Sequence, residues 1–458
     1  MTFLLPFPFS LRVWSTSMTR AVTNKFAYST VTAVVIANMV GTGVFTSLGF
    51  QLLELRSGFV LLALWAVGGL IALCGAMTYA ELGAALPRSG GEYNFLSRIY
   101  HPSIGFISGW ISATIGFAAP TALAAMTFAA YTTSVFPNSN DESIEKAIAV
   151  ALVILVTIIH SNSRRQSGAL QSIFTLLKVG VIVVFCVAAL VSVDEPQALT
   201  FLPVSGDMGL LTSGAFAISL IYVSYAYTGW NAATYLSSEL ENPQRELPRI
   251  LFAGTAVVTL LYVALNYVFL RVTAMDAMRG EIEIGFIAAE SAFGAVGGRF
   301  AGLALALLLI STVSAMTLAG PRVLQVIGED FPVLGYLART NSDGLPYFAI
   351  RTQSALTILF ILTSGFESIL VFAGFTLALN SFATVLGVFV LRWRQPDLPR
   401  PYRTFAYPAT PVIYLMLTGW TLGYVFYQRP AEGAFGLAVI VSGAIVYALT
   451  ARAMPRLG

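Results

Sequence analysis

Apolar and polar positions along this chain do not alternate with the 3.6-residue period of a soluble surface helix. They fall into long apolar blocks separated by short stretches that hold nearly all the charge. The blocks run over 28–50, 58–85, 104–136, 146–160, 169–192, 211–238, 249–273, 299–320, 348–364, 367–391, 409–427 and 433–452. As helices rising 1.5 Å per residue, most of them match a hydrocarbon layer of about 30 Å. The pattern predicts an all-α, polytopic membrane protein with twelve transmembrane helices.

Two blocks carry glycine at mid-depth. Span one reads Ile36-Ala37-Asn38-Met39-Val40-Gly41-Thr42-Gly43-Val44-Phe45. Each glycine costs a helix interior about 1 kcal/mol relative to alanine, so Gly41-Thr42-Gly43 marks a place where the helix can open. In lipid, opened backbone is tolerated only where it is buried in protein or lines a watery cavity. Such a break exposes the partly positive amide end of one half-helix and the partly negative carbonyl end of the other, a pair that suits a zwitterion. Span six repeats the signal, with Gly229 among hydroxyl and amide side chains in Tyr225-Ala226-Tyr227-Thr228-Gly229-Trp230-Asn231. A single membrane glycine often serves close packing. The spacing is more telling, because breaks in spans one and six are what two inverted five-span repeats require. The expected organisation is an N-terminal segment 1–26, a first repeat 27–192, a second repeat 211–391 and two additional C-terminal helices at 409–453.

Composition agrees with a membrane protein: 57% of residues are hydrophobic, 10% are charged, and the mean hydropathy is +0.79. Cys74 and Cys186 both lie in apolar runs, which argues against a disulfide framework, a cysteine metal cluster or a disulfide-linked ancillary subunit. His101 and His160 are the only histidines, too few for a catalytic zinc or a histidine-based membrane hydrolase. An enzyme is therefore not expected, nor is a metal, a cofactor or a nucleic-acid partner. No small-residue cleavage site follows a long apolar core in Met1–Ser29, and Met18 serves equally well as a start.

Of the 25 basic residues, 18 lie in the alternate loops that include both termini and 6 lie in the others, which places both termini in the cytoplasm. The remaining one is Lys178, inside Phe174-Thr175-Leu176-Leu177-Lys178-Val179-Gly180-Val181. An ammonium at mid-bilayer costs at least ~2.5–3.5 kcal/mol unless it finds partners, and this one is too far from either end of its span to snorkel easily. A functional role is expected for it. No Asp or Glu lies deep in a span: Glu81 and Glu239 sit at inner ends and Glu367 at an outer end. A cationic side chain or a polyamine held at mid-membrane would want such a carboxylate, so neutral substrates are favoured. Binding of a cationic amino acid through backbone carbonyls alone stays open. Trp230 can equally pack or line the pocket. The loops Pro87–Tyr93 and Glu239–Pro248 can gate the inner mouth or merely brace it.

These residues together resemble the amino acid, polyamine and organocation (APC) transporter superfamily with the LeuT fold. The resemblance rests on Gly41–Phe45; on Pro87, Gly90-Gly91 and Tyr93; on Lys178; on Tyr225–Asn231 with Glu239, Asn242-Pro243 and Pro248; and on Pro401-Tyr402-Arg403 ahead of Tyr407-Pro408. It covers most of the chain. Within the superfamily the chain looks most like the L-type and cationic amino acid transporters and the bacterial permeases, which implies a bacterial cell membrane. The resemblance implies secondary active transport of amino acids by alternating access. It further implies that Gly41 and the amides of Thr42, Gly43 and Val44 hold a substrate carboxylate. The carbonyls of Met39, Tyr225, Ala226 and Thr228 would take the amino group, and Asn231 would meet the side chain. Lys178 would stand where relatives hold sodium, tying spans one and eight, with Thr312 and Ser314 close by. Transport is then expected to be sodium-independent, with Lys178 either titrating in proton symport or staying charged in exchange. A transporter-like amino acid sensor is the alternative of another class.

Overall fold

The computed structural model describes residues 27–88, 90–135, 141–162, 169–193, 195–342 and 344–453. The expected segment 1–26 and the alternative start at Met18 lie outside these residues. Block one is split into α1 (Tyr28–Met39) and α2 (Gly43–Gln51), followed by α3 (Gly58–Ala85) and a short helix α4 (Gly91–Ile99). Block three forms α5 (Pro102–Ile111) and α6 (Ala118–Val135), joined through a π-helical turn at Ser112–Gly116. Then come α7 (Glu142–Asn162), α8 (Ala169–Ser192), a short α9 (Asp207–Leu211) and α10 (Gly214–Ala226), which gives way to a 3-10 segment at Ala232–Glu239. The rest comprises α11 (Pro243–Val272), the short α12 (Met275–Met278), α13 (Ile284–Ala319), α14 (Pro321–Asp330), α15 (Tyr347–Thr363), α16 (Phe366–Arg394), α17 (Ala409–Gln428) and α18 (Pro430–Ala453).

Among the described residues, nine helices are long and apolar enough to cross a membrane, counting α1 and α2 as one, α5 and α6 as one, and α13 and α14 as one. Three further apolar helices are shorter: Leu177–Ser192 within α8, α10 and α15. Local chemistry starts several of them. The Ser57 hydroxyl accepts from the Val60 amide at 3.3 Å, and the Ser213 hydroxyl from the Phe216 amide at 3.2 Å, each satisfying a donor that has no partner in the first turn. Proline opens α5 and α11, where its missing N–H is no loss.

Burial separates an inner set of helices from an outer one. α3 lies along α11, and α6 lies along α13. By contrast α8 presents Val184, Val187 and Val191, and α7 presents Leu155 and Ile158, as exposed aliphatic side chains. Water would penalise that surface, whereas lipid does not. At one end, Arg392 of α16 grips Glu81 of α3 through two bonds of 2.8 and 2.7 Å, and the Thr404 amide and hydroxyl each donate to the same carboxylate at 2.7 Å. Glu81 is thus a brace at a helix end, consistent with where the charge pattern puts it.

The main departure from the sequence pattern is block eight, read as 299–320, whereas α13 begins at Ile284. Glu290, Gly294 and Arg299 make that stretch read as a loop. Gly294 adopts φ 72°, ψ 176°, so the helix bends there and continues beyond it.

Candidate substrate site

The first break is short. Helix α1 ends at Met39, Val40 leaves helical geometry at φ −73°, ψ 84°, and α2 restarts at Gly43. The Gly41 amide folds back onto the Met39 carbonyl at 2.8 Å, and the Phe45 amide takes the Thr42 carbonyl at 2.9 Å. The Thr42–Val44 amides therefore sit at the open N-terminal turn of α2, where no carbonyl of the same helix precedes them. The second break follows Ala226. The Thr228 amide and hydroxyl both donate to the Tyr225 carbonyl, at 2.9 and 2.7 Å, and Gly229 reverses the chain at φ +98°.

The two breaks meet. A Cβ on Gly43 would stand 2.6 Å from the Ala226 Cα, and one on Gly229 would stand 2.8 Å from the Asn38 carbonyl carbon and oxygen. Both distances lie inside ordinary van der Waals contact, so only glycine allows this approach. Gly41 differs: a Cβ there would find only the Met39 carbonyl, at 3.9 Å, so the backbone is open on that side. Tyr225 is buried, and its hydroxyl lies within reach of the Thr42 side chain. The structure thus brings Met39, Gly41, Thr42, Gly43, Val44, Tyr225, Ala226 and Thr228 into one small region.

Sequence reading missed the residue that joins them. Tyr262 of α11, fully buried, points its hydroxyl at the carbonyls of both Met39 and Ala226, the latter at 3.2 Å. A phenol has one proton, so it donates to one carbonyl at a time while marking the position from which both can be reached. Trp65 packs edge-on against its ring at 5.6 Å and Tyr227 tilts against it at 5.0 Å, which holds the ring in place. The available signal was a tyrosine in the otherwise aliphatic stretch Leu260–Leu265. Tyr262→Phe leaves two buried carbonyls without this donor, so thermal unfolding should show a loss of about 1–3 kcal/mol. Unchanged stability would remove Tyr262 from the site.

Lys178 lies in the packed interior with 4% exposure and donates to the Thr312 hydroxyl of α13 at 2.7 Å. Two of the expected coupling residues thus meet, and the span-five to span-eight tie is made. Among the described residues no hydrogen bond runs from this ammonium to α1. Ser314 lies elsewhere: two residues on is about 200° around a helix, and its hydroxyl bonds the His160 ring at 2.7 Å instead.

Asn231 also departs from expectation. Its amide nitrogen donates one hydrogen bond to Glu92 at 3.0 Å, a partner the sequence did not suggest. Glu92 sits in what reads as a loop, yet its side chain is buried beside the second break. No carboxylate was expected near the site. Trp230 packs edge-on against Tyr79 at 4.6 Å and also lines a small cavity of about 50 Å³ with Ser224, Thr228, Ser381 and Thr418. Its packing role is thus visible in the contact with Tyr79.

The chain matches the amino acid permease family over residues 26–454. It belongs to that family, within the APC superfamily. Among the relatives of this permease, the large neutral amino acids transporter small subunit 2 of Mus musculus is 29% identical over 443 residues, covering 91% of the chain and 79% of the relative. The Asc-type amino acid transporter 1 of Mus musculus is 28% identical over 438 residues, covering 91% and 79%. The serine/threonine exchanger SteT of Bacillus subtilis is 25% identical over 421 residues, covering 90% and 94%. The permease is a transporter and not an enzyme, and its apolar helices make it an integral membrane protein.

Proposed function

We propose that this permease carries neutral L-amino acids across a bacterial cell membrane by alternating access, without sodium and by exchange. The observation that carries the reading is the contact between two broken helices. Freed amides at Thr42–Val44 face an anion's requirements, carbonyls at Met39 and Ala226 face a cation's, and Gly43 and Gly229 hold the two ends within a zwitterion's length of each other. The relatives point the same way: one is a transporter of large neutral amino acids and another exchanges serine and threonine. Glu92 does not argue for a cationic substrate, because five neutral donors already occupy its oxygens. We further read the nine long and three shorter apolar helices as twelve spans, in two five-span repeats at 27–192 and 211–391 with two more at 409–453, both termini cytoplasmic.

Sodium independence follows from Lys178. A fixed ammonium on the Thr312 hydroxyl meets the same oxygen a metal ion would use and repels that ion. Exchange is supported by the likeness to the Bacillus subtilis relative, a serine/threonine exchanger. The expected result from purified protein is a rise in thermal stability with neutral amino acids, because a ligand that binds only the folded state stabilises it. Stabilisation by arginine or a polyamine and by no neutral amino acid would overturn the substrate class. In proteoliposomes, uptake should require a neutral amino acid inside. Uptake into empty vesicles driven by an imposed proton gradient would instead favour symport.

A further inference from the structure

Among the described residues Glu92 accepts five side-chain hydrogen bonds, and its partners come from far apart in the sequence. Its Oε1 accepts from Tyr79 at 2.7 Å, Asn231 at 3.0 Å and Ser381 at 3.1 Å; its Oε2 accepts from Tyr235 at 3.0 Å and Asn380 at 3.0 Å. Five donors approach a group with about four good acceptor directions, and none of the five is a lysine or arginine. The side chain is 4% exposed. A desolvated carboxylate without a cation is tolerable only while such a set of donors stays assembled, because its bonds are charge-assisted and their loss leaves a buried anion.

The donors are the parts that must separate if the permease opens at this end. Tyr79 belongs to α3, Asn380 and Ser381 to α16, and Asn231 and Tyr235 to the segment that continues the second broken helix. Glu92 itself is in the first turn of α4, which is seated tightly: Gly91 takes φ +52°, and a Cβ there would stand 2.8 Å from the Tyr235 ring. The next residue, Tyr93, donates to Asp330 of α14 at 2.6 Å, so α4 also anchors the opposite wall. Asn231 lies two residues beyond Gly229, whose backbone rests on Asn38 of the first break. The hub is therefore one short step from both halves of the candidate site. Arg98 stands in the last turn of α4, and Arg392 and Arg394 in the last turn of α16, where Arg394 donates to the Ile99 carbonyl at 2.9 Å; α4 therefore lies at the arginine-rich end of the molecule.

We propose that Glu92 is the latch that keeps the substrate site closed on the arginine-rich side, and that its release from Asn231, Tyr235, Asn380 and Ser381 is the step that opens that side. The latch rests on the transport reading above. A brace such as Glu81 with Arg392 would hold its shape in every state; a carboxylate held only by neutral hydroxyls and amides can exchange them for water as the gap widens.

The test uses sided labelling in oriented proteoliposomes. Cys74→Ser and Cys186→Ser remove the native thiols, and Ala378→Cys places one thiol in the small cavity beside Thr228 and Trp230. With a membrane-impermeant maleimide on the arginine-rich side, Glu92→Ala should raise the labelling rate at least about tenfold, the effect of losing one or more charge-assisted bonds on a closed-to-open equilibrium. Labelling from the opposite side should not rise. An unchanged rate, or an equal rise from both sides, overturns the latch. Should Glu92→Ala fail to fold, Asn380→Ala removes one donor and keeps the carboxylate; a rise of about threefold on the same side is expected, and no rise overturns the proposal. Amino acid exchange by the unsubstituted permease is measured in the same vesicles. Its absence counts against the transport reading, whereas exchange with unaltered labelling counts against the latch alone.

Discussion

Gly43→Ala should abolish amino acid exchange, lowering the initial rate at least about a hundredfold, while Gly41→Ala leaves the protein folded and acts on substrate binding. The added methyl at residue 43 would stand 2.6 Å from the Ala226 Cα and 2.7 Å from its Cβ, where carbon atoms ordinarily rest about 3.5–4.0 Å apart. No rotamer relieves a clash of a Cβ with backbone, so the two breaks must move apart by about 1 Å, a displacement that in a pre-organised site can cost a hundredfold in rate. Gly229→Ala adds a second penalty, since φ +98° is strained for any residue with a side chain and the methyl meets the Asn38 carbonyl. Gly41 supplies the internal comparison. Its methyl meets nothing closer than 3.9 Å, so stability should hold; if the open side is where substrate sits, the apparent KM rises and the maximal rate changes little. Equal loss in Gly41→Ala and Gly43→Ala would show that neither contact matters as described. Normal exchange by Gly43→Ala would remove the meeting of the breaks as the basis of the site.

Some of this arrangement was legible in the sequence and some was not, for separable reasons. Gly41-Thr42-Gly43 and Gly229 announced themselves because glycine is anomalous in a membrane helix, and Lys178 because a charge is. Such anomalies survive without knowledge of contacts. Tyr262 and Glu92 were not legible. A tyrosine in a span is compatible with lipid, core or site, and only the fold brings α11 across the carbonyl ends of α1 and α10. Glu92 follows Pro87, Gly90 and Gly91, the composition of an exposed turn, yet α4 folds back inside and receives donors from residues 79 to 381. Long-range burial of a loop carboxylate leaves no periodic trace. Thr312 and Ser314 show the limit of carrying positions over by proximity in sequence, because a step of two residues on one helix sends them to opposite neighbours, Lys178 and His160.

Lys178→Met should leave the folded protein as stable as before or more stable, and should lower exchange at least about tenfold. The two outcomes come from the same imbalance. A buried ammonium needs partners to offset a burial cost of at least ~2.5–3.5 kcal/mol, and among the described residues this one bonds a single neutral hydroxyl, that of Thr312. Methionine fills nearly the same volume without a charge, so replacement relieves desolvation and leaves Thr312 still able to donate to the Leu308 carbonyl. A residue kept only for packing would yield a stable and active variant. A coupling residue would yield a stable and inactive one, because the fixed charge that stands in for a cation between α8 and α13 has gone. Lys178→Ala is the less informative change, since it removes charge and volume together and opens a cavity beside the apolar cleft of about 450 Å³ lined by Leu177, Val181 and Phe269. The two readouts are melting of purified protein and exchange in proteoliposomes with and without sodium. Full exchange by Lys178→Met would end the coupling role. Lost stability together with lost exchange would make Lys178 structural, and restoration of exchange by sodium would show that the ammonium occupies a vacated metal position.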